Sequence, residues 1–216
     1  AGAIHTRMTR RWQINEAPST LQLNEIARIL AGGAVVLMPT DTIYGLHALA
    51  LDEQAVARVA EIKAREETKP FIVLASSLDQ LKPLGISADD HVLAALASIW
   101  PAPLTAILPL HAPIAASRGT SSLAVRIPAL DWLRELIERT GPLVSTSANR
   151  SGEPAVSDPS FFARDLQDRL GAIVDGGTRG GEPSAIVDLT SAEPHFLREG
   201  QHSFTQKLWK SLRKSP

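Results

Sequence analysis

No cysteine occurs anywhere in the 216 residues, which excludes disulfides and thiolate metal sites and fits a reducing compartment, so the cytoplasm is the expected location. Neither sign of charge prevails. With 22 Lys and Arg against 23 Asp and Glu, the chain lacks the positive field that nucleic-acid-binding domains carry, and any tRNA or RNA contact would be weak and local. The longest apolar runs, at 34–38 and 71–75, fall far short of the roughly 20 residues that cross a bilayer, so no membrane association is expected. Residues 1–6 lack the apolar core of a signal peptide, and Met8 reads as a natural start behind a short cloning remnant at 1–7.

Familiar catalytic signatures are missing too. There is no G-x-x-x-x-G-K-[ST] phosphate loop and no G-x-G-x-x-G turn, so an ATP site here would be unconventional. The nucleophile elbow G-x-S-x-G is absent. Six histidines, at 5, 47, 91, 111, 195 and 202, form no His-x-x-x-His or His-Glu pair, which argues against zinc. No internal repeat, low-complexity tract or interdomain linker interrupts the chain.

What is present suits a single domain able to bury roughly 70% of its unfolded surface. Leu23, Ile26 and Leu30 keep helical spacing behind Ser19 or Thr20 as cap, with Gly32 and Gly33 after the end. Asp52 is placed to cap a second helix carrying Val56, Val59 and Ile62 through about residue 64, and Val92, Leu96, Ile99 and Trp100 mark a third. Further helices are expected over 131–140 and 158–170. Short apolar runs at 34–38, 71–75, 104–108, 123–127, 143–145, 173–175 and 185–189 read as strands. Helices and strands mix without strict alternation, which predicts one α/β domain on a mixed sheet. It spans 8–203, followed by a basic amphipathic tail over 204–216 in which Lys207, Lys210, Arg213 and Lys214 interleave with Leu208, Trp209 and Leu212.

Five polar segments follow or interrupt the strands. P-T-D-T-I-Y-G-L at 39–46 either caps its own backbone or lines a pocket with the hydroxyls of Thr40, Thr42 and Tyr44. Lys63 and Arg65, with Lys69 just beyond, are either the cations that complement a helix C-terminus or a triphosphate clamp. Arg126 lies inside an apolar strand, where its charge needs an internal carboxylate or an anionic ligand. S-T-S-A-N at 145–149, then Ser151 and Gly152, supplies Ser145, Ser147 and Asn149 either to a helix-capping turn or to a ligand loop at a strand end. D-G-G-T-R-G-G at 175–181, with Ser184 beyond it, is either a mobile loop or a place of close backbone approach.

Taken in order, these segments resemble the YrdC-type L-threonylcarbamoyladenylate synthases over about 34–200. The family's P-T-[DE]-T-x-Y-G-L is matched at 39–46, K-x-R-P-x-x-K-P at 63–70, W-P-G-P-[LV]-T at 100–105, and A-V-R-x-P at 124–128. S-T-S-A-N-x-S-G is unchanged at 145–152, P-S-x-[IV]-x-D is matched at 183–188, and R-E-G ends the series at 198–200. Glu66 stands where the family has Pro, and Ala102 where it has Gly. The chain also reads as too short for the second, C-terminal domain of the larger relatives.

The resemblance implies a single YrdC-like α/β domain whose twisted mixed sheet carries flanking helices and a concave ligand site. It implies that threonine, bicarbonate and ATP become threonylcarbamoyl-AMP and pyrophosphate, with a separate tRNA threonylcarbamoyltransferase machinery consuming the product. By position, Thr40, Thr42, Tyr44, Arg126 and Ser145 would serve threonine, while Lys63, Arg65, Lys69, Ser147, Asn149 and Ser184 would face ATP. Lys63, Arg65 and Arg126 would carry the catalytic charge. Mg²⁺, held through phosphate oxygens and water, is the expected companion of ATP. Two other readings stay open: a paralogue acting on another carbamoyl or adenylate substrate, as in hydrogenase maturation, and a double-stranded RNA or tRNA binding module.

Overall fold

The computed structural model describes residues 9–63, 70–150, 152–162, 164–200 and 202–213. Among them the elements run β1 (Arg10–Gln13), α1 (Thr20–Ala31), β2 (Val36–Pro39), β3 (Tyr44–Leu49), α2 (Glu53–Lys63), β4 (Ile72–Leu74) and α3 (Asp90–Ala97). Then follow β5 (Leu104–Pro109), β6 (Ser122–Arg126), α4 (Asp131–Thr140), β7 (Leu143–Ser147), α5 (Arg164–Gln167), β8 (Ala172–Asp175), β9 (Ala185–Asp188), β10 (His195–Arg198) and α6 (His202–Leu212). The strands form one mixed sheet in the order β1-β8-β2-β3-β7-β4-β6-β5-β9-β10.

Local chemistry sets the helix starts. The Ser19 hydroxyl accepts from Gln22 N–H while the Gln22 side chain accepts from Ser19 N–H, a reciprocal capping box. Asp52 Oδ1 accepts from the N–H groups of Gln54 and Ala55 at 2.9 and 3.1 Å, capping α2 as its position predicts.

Strand alternation divides the sheet into two faces. Leu37, Leu46, Val73, Leu104, Ala106, Val125, Val144 and Val187 point to the larger core, closed by Val56, Val59 and Ile62 of α2, Leu96 of α3 and Leu166 of α5. Val36, Met38, Leu74, Leu143, Ala172 and Val174 point the other way, under α1 and α4. This second face carries polar side chains farther along, because Thr105, Arg126, Ser145 and Ser147 occupy the alternate positions of β5, β6 and β7.

Four expectations need correction. Residues 44–49 form a strand paired with β2 and β7, not a loop, so the P-T-D-T turn is the tip of a hairpin. β1 and β10 are strands where none was expected. The helix expected over 158–170 is a 3₁₀ turn at Pro159–Phe161 followed by the single turn of α5. Finally, residues 204–212 are no separate tail: α6 packs on α3, Leu208 is fully buried in the main core, and Phe204 and Leu212 pack against it. Ser98 Oγ and Ser211 Oγ meet at 3.1 Å across that contact.

That packing makes α6 part of the main core. Leu208→Ala is expected to cost about 2–5 kcal/mol of stability, lowering Tm by on the order of 10 °C. Thermal unfolding checks it, and an unchanged Tm would return the helix to the status of an appendage.

Candidate active site

The hairpin tip is built by its own hydroxyls. Thr40 Oγ1 accepts from the N–H groups of Thr42 and Ile43 at 3.1 and 3.3 Å and donates to the Ile43 carbonyl at 2.8 Å. Thr42 Oγ1 lies 3.0 Å from Thr40 Oγ1 and accepts from Arg126 Nη1 at 3.2 Å. Since Thr40 has spent its hydrogen on Ile43, Thr42 must be the donor between the two hydroxyls. Both readings of this segment therefore hold: Thr40 caps its own turn, and both threonines line a cavity.

Arg126, at the end of β6, is 4% exposed. Its Nη2 stands 3.4 Å from Asp41 Oδ1, and Asp41 Oδ2 accepts from Ala129 N–H at 2.9 Å. The pair is electrostatic rather than hydrogen-bonded, for Arg126 Nε and Asp41 Oδ1 are both buried without a hydrogen-bond partner. Burial lowers the guanidinium pKa, with Asp41 opposing and Arg198 adding to the shift. Arg198, from the end of β10, donates through Nε to the Ser184 carbonyl at 2.7 Å.

These groups surround a small cavity of about 60 Å³ on the second face of the sheet, beyond the cover of α1 and α4. Gly45, Ser145, Ser147, Arg126, Ser184 and Arg198 line it with the hairpin tip. Ser184 Oγ is buried and meets Thr105 Oγ1 at 2.8 Å.

Tyr44 also reaches this wall, but its hydroxyl is occupied. It donates to the Gly177 carbonyl at 2.7 Å and accepts from Gly176 N–H at 2.9 Å, tying the glycine loop to the hairpin. Burial raises its pKa, partly offset by the Gly176 N–H. The loop's close approach is likewise to the chain itself: a Cβ at Gly181 would lie 1.9 Å from the Thr42 carbonyl oxygen. The resemblance implies a threonine contact for Tyr44, which lines the cavity while its phenol also holds the loop.

On the other side of β7, three of the residues matched to ATP meet. Lys63, the last residue of α2, is 3% exposed. Its Nζ donates to the Ser147 carbonyl at 2.8 Å, to Ser147 Oγ at 3.3 Å and to Asn149 Oδ1. Ser147 Oγ donates to Asn149 Oδ1 at 2.6 Å, and Asn149 Nδ2 donates to the Glu153 carbonyl. Lys63 thus turns inward onto β7 rather than ending its helix in water. Arg65, Glu66 and Lys69 lie outside the described residues.

The family model Sua5/YciO/YrdC, described as telomere recombination, matches residues 28–200. The chain belongs to the Sua5/YciO/YrdC family. A threonylcarbamoyl-AMP synthase of Pyrococcus abyssi is 39% identical, the match covering 80% of this chain and 53% of that protein. One of Pseudomonas aeruginosa is 37% identical, over 77% of this chain and 92% of the relative. The crystal structure of P. abyssi Sua5 complexed with L-threonine superposes with a TM-score of 0.84 at 33% identity, covering 93% of this chain and 61% of that one. The chain accordingly spans little more than half of the archaeal relative and most of the bacterial one.

Within this Sua5/YciO/YrdC domain, four residues at the site escaped reading by position: Asp41, Gly45, Thr105 and Arg198. Asp41 and Gly45 sat in view inside the first motif, and Arg198 inside the last, but only the folded sheet puts Arg198 beside Arg126. No helix among the described residues is long and apolar enough to cross a membrane.

Proposed function

We propose that this chain is an L-threonylcarbamoyladenylate synthase that makes threonylcarbamoyl-AMP and pyrophosphate from L-threonine, bicarbonate and ATP. The observation that carries the reading is Ser147, which lines the cavity shared by Arg126 and Ser145 and also receives Lys63 Nζ. A carboxylate-bearing substrate on one side and a triphosphate on the other would meet there. The naming of relatives as threonylcarbamoyl-AMP synthases and the threonine complex of a family member support it.

The threonine amine and bicarbonate combine to a carbamate with loss of water. A carbamate oxygen then attacks the α-phosphorus, the bond from that phosphorus to the bridging oxygen breaks, and pyrophosphate leaves. The carbamate is already an oxygen nucleophile, so the step needs alignment and charge neutralisation more than a protein base. Arg126 and Ser145 would hold the threonine end beside Thr40 and Thr42. Lys63, Ser147 and Asn149 would face ATP, joined by Ser184, Arg65 and Lys69. A Mg²⁺ ion would be carried in by triphosphate oxygens and water. That ion would neutralise phosphate charge and favour pyrophosphate departure. The product would pass to the tRNA threonylcarbamoyltransferase machinery in the cytoplasm.

Pyrophosphate release from ATP is expected to require both threonine and bicarbonate. Release independent of threonine would point to a different carbamoyl substrate, and no release at all to a binding module. Within an active enzyme, Asn149→Ala is expected to weaken ATP binding more than Thr40→Ala does, with the opposite order for threonine. Calorimetric titration of both ligands against both variants checks the division of the pocket, and equal or reversed losses would refute it.

A further inference from the structure

His47 is fully buried in β3, between Val36 of β2 and Ser145 of β7 in the sheet register. Its Nε2 lies 3.0 Å from the Oγ of Ser145, a residue that lines the cavity. The ring sits against Gly45, where a Cβ would stand 2.8 Å from Cε1 and 3.1 Å from Nε2. Gly45 and Ser145 both line the cavity, so the imidazole is directly beneath its floor, one residue from substrate. Nothing in the proposed chemistry uses this histidine.

Its protonation state follows from its surroundings. Burial pushes the pKa down to about 3, with Arg126 adding to the shift and the Val36 and Gly45 carbonyls opposing it. The ring is neutral throughout the working range and carries one hydrogen, on Nε2 or on Nδ1. Nδ1 is buried with no hydrogen-bond partner in good geometry, although the Val36 and Gly45 carbonyls lie near enough to the ring to favour its charged form. A hydrogen on Nδ1 would therefore be an orphaned buried donor. A hydrogen on Nε2 leaves only an orphaned acceptor, the less costly of the two. Nε2–H then donates to Ser145 Oγ, and the single hydrogen of that hydroxyl is free to turn into the cavity, beside the Arg126 guanidinium.

We propose that His47 is a positioning residue: its Nε2–H fixes the Ser145 hydroxyl as a donor toward the anionic end of the substrate, completing with Arg126 a pair of donors for one carboxylate or carbamate group. The inference rests on the synthase reading above. It goes beyond that reading in assigning the direction of the Ser145 hydrogen bond and the residue that sets it. His47 acts through Ser145 and touches no substrate, so its effect must vanish when Ser145 is removed.

The test has two arms. In the full chain without ligands, ¹⁵N NMR of the imidazole is expected to show a neutral ring with hydrogen on Nε2, unchanged from pH 5 to pH 9. Hydrogen on Nδ1, or a titration within that range, would overturn the proposal whatever the enzyme does. In the pyrophosphate assay, His47→Leu is expected to raise KM for threonine by about tenfold, the loss of roughly one hydrogen bond. KM for ATP and kcat should stay within about twofold, and His47→Gln, whose amide N–H can reach the same oxygen, should recover most of the loss. Combined with Ser145→Ala, His47→Leu should add nothing to Ser145→Ala alone. Additive losses, or an unchanged KM in a His47→Leu protein of normal Tm, would overturn it. Should the wild-type chain release no threonine-dependent pyrophosphate, the synthase reading falls while the NMR arm still decides how His47 and Ser145 are arranged.

Discussion

Lys63→Ala is expected to lower pyrophosphate release by about a hundredfold or more, the usual consequence of removing one preorganised electrostatic partner from a developing transition state. The ammonium is committed to Ser147 and Asn149, which holds it buried at the end of β7 instead of sweeping through water on a four-carbon stem. A triphosphate arriving there would exchange those neutral acceptors for phosphate oxygens. Truncation also leaves the Ser147 carbonyl and the Asn149 side chain short of a donor, so some loss of stability is expected at about 1–3 kcal/mol. Lys63→Met keeps most of the stem and separates the two effects: its Tm should lie closer to wild type than that of Lys63→Ala, while its turnover stays as low. Arg65→Ala is expected to lose rate comparably. Near-normal turnover in the Lys63 variants would mean that the ammonium only ties α2 to β7.

Such inward-facing cations mark the boundary of what was legible in the residue order. The larger part of the sheet could be read because its strands are short β-branched runs between Pro, Gly and polar clusters, and α1 and α2 announced their caps. β3 escaped because its second face holds Gly45 and His47, where a strand buried on both sides would carry Val or Ile. Those two positions depart from the pattern because Gly45 lines a cavity and His47 lies beneath it against Ser145. β1 and β10 are edge strands of mostly exposed residues, R-R-W-Q and H-F-L-R, so neither shows the alternation that a half-buried strand would. The tail misled in the opposite direction: its four cations suggested a solvated helix, yet one leucine stripe anchors it to α3. At the site, residue types were visible and partnerships were not. Thr40 bonding within its own turn is local and could be anticipated, whereas Arg126 with Asp41, Tyr44 with Gly177, and Lys63 with Asn149 join segments about 85 or more positions apart.

The Arg126–Asp41 pair yields the other large expected effect, because the two readings of that arginine predict different double mutants. Arg126→Leu removes the countercharge from a carboxylate whose side chain is 6% exposed and whose Oδ1 has no hydrogen-bond partner. Breaking a buried pair in this way costs about 3–5 kcal/mol, enough to lower Tm by on the order of 10 °C in a domain of this size. Activity is expected to fall by about a hundredfold or more as well, since the guanidinium that would align the threonine end is gone. Arg126→Leu combined with Asp41→Asn takes away the stranded charge while keeping an acceptor for Ala129 N–H. Most of the lost stability should return. The activity should not, because no substitution at Asp41 restores a cation to the cavity beside Ser145. Denaturant unfolding and pyrophosphate release, measured on the wild type, both single variants and the double, separate the two roles. Recovery of both stability and turnover in the double variant would reduce Arg126 to the structural partner of Asp41 and leave Arg198 as the cation of the cavity.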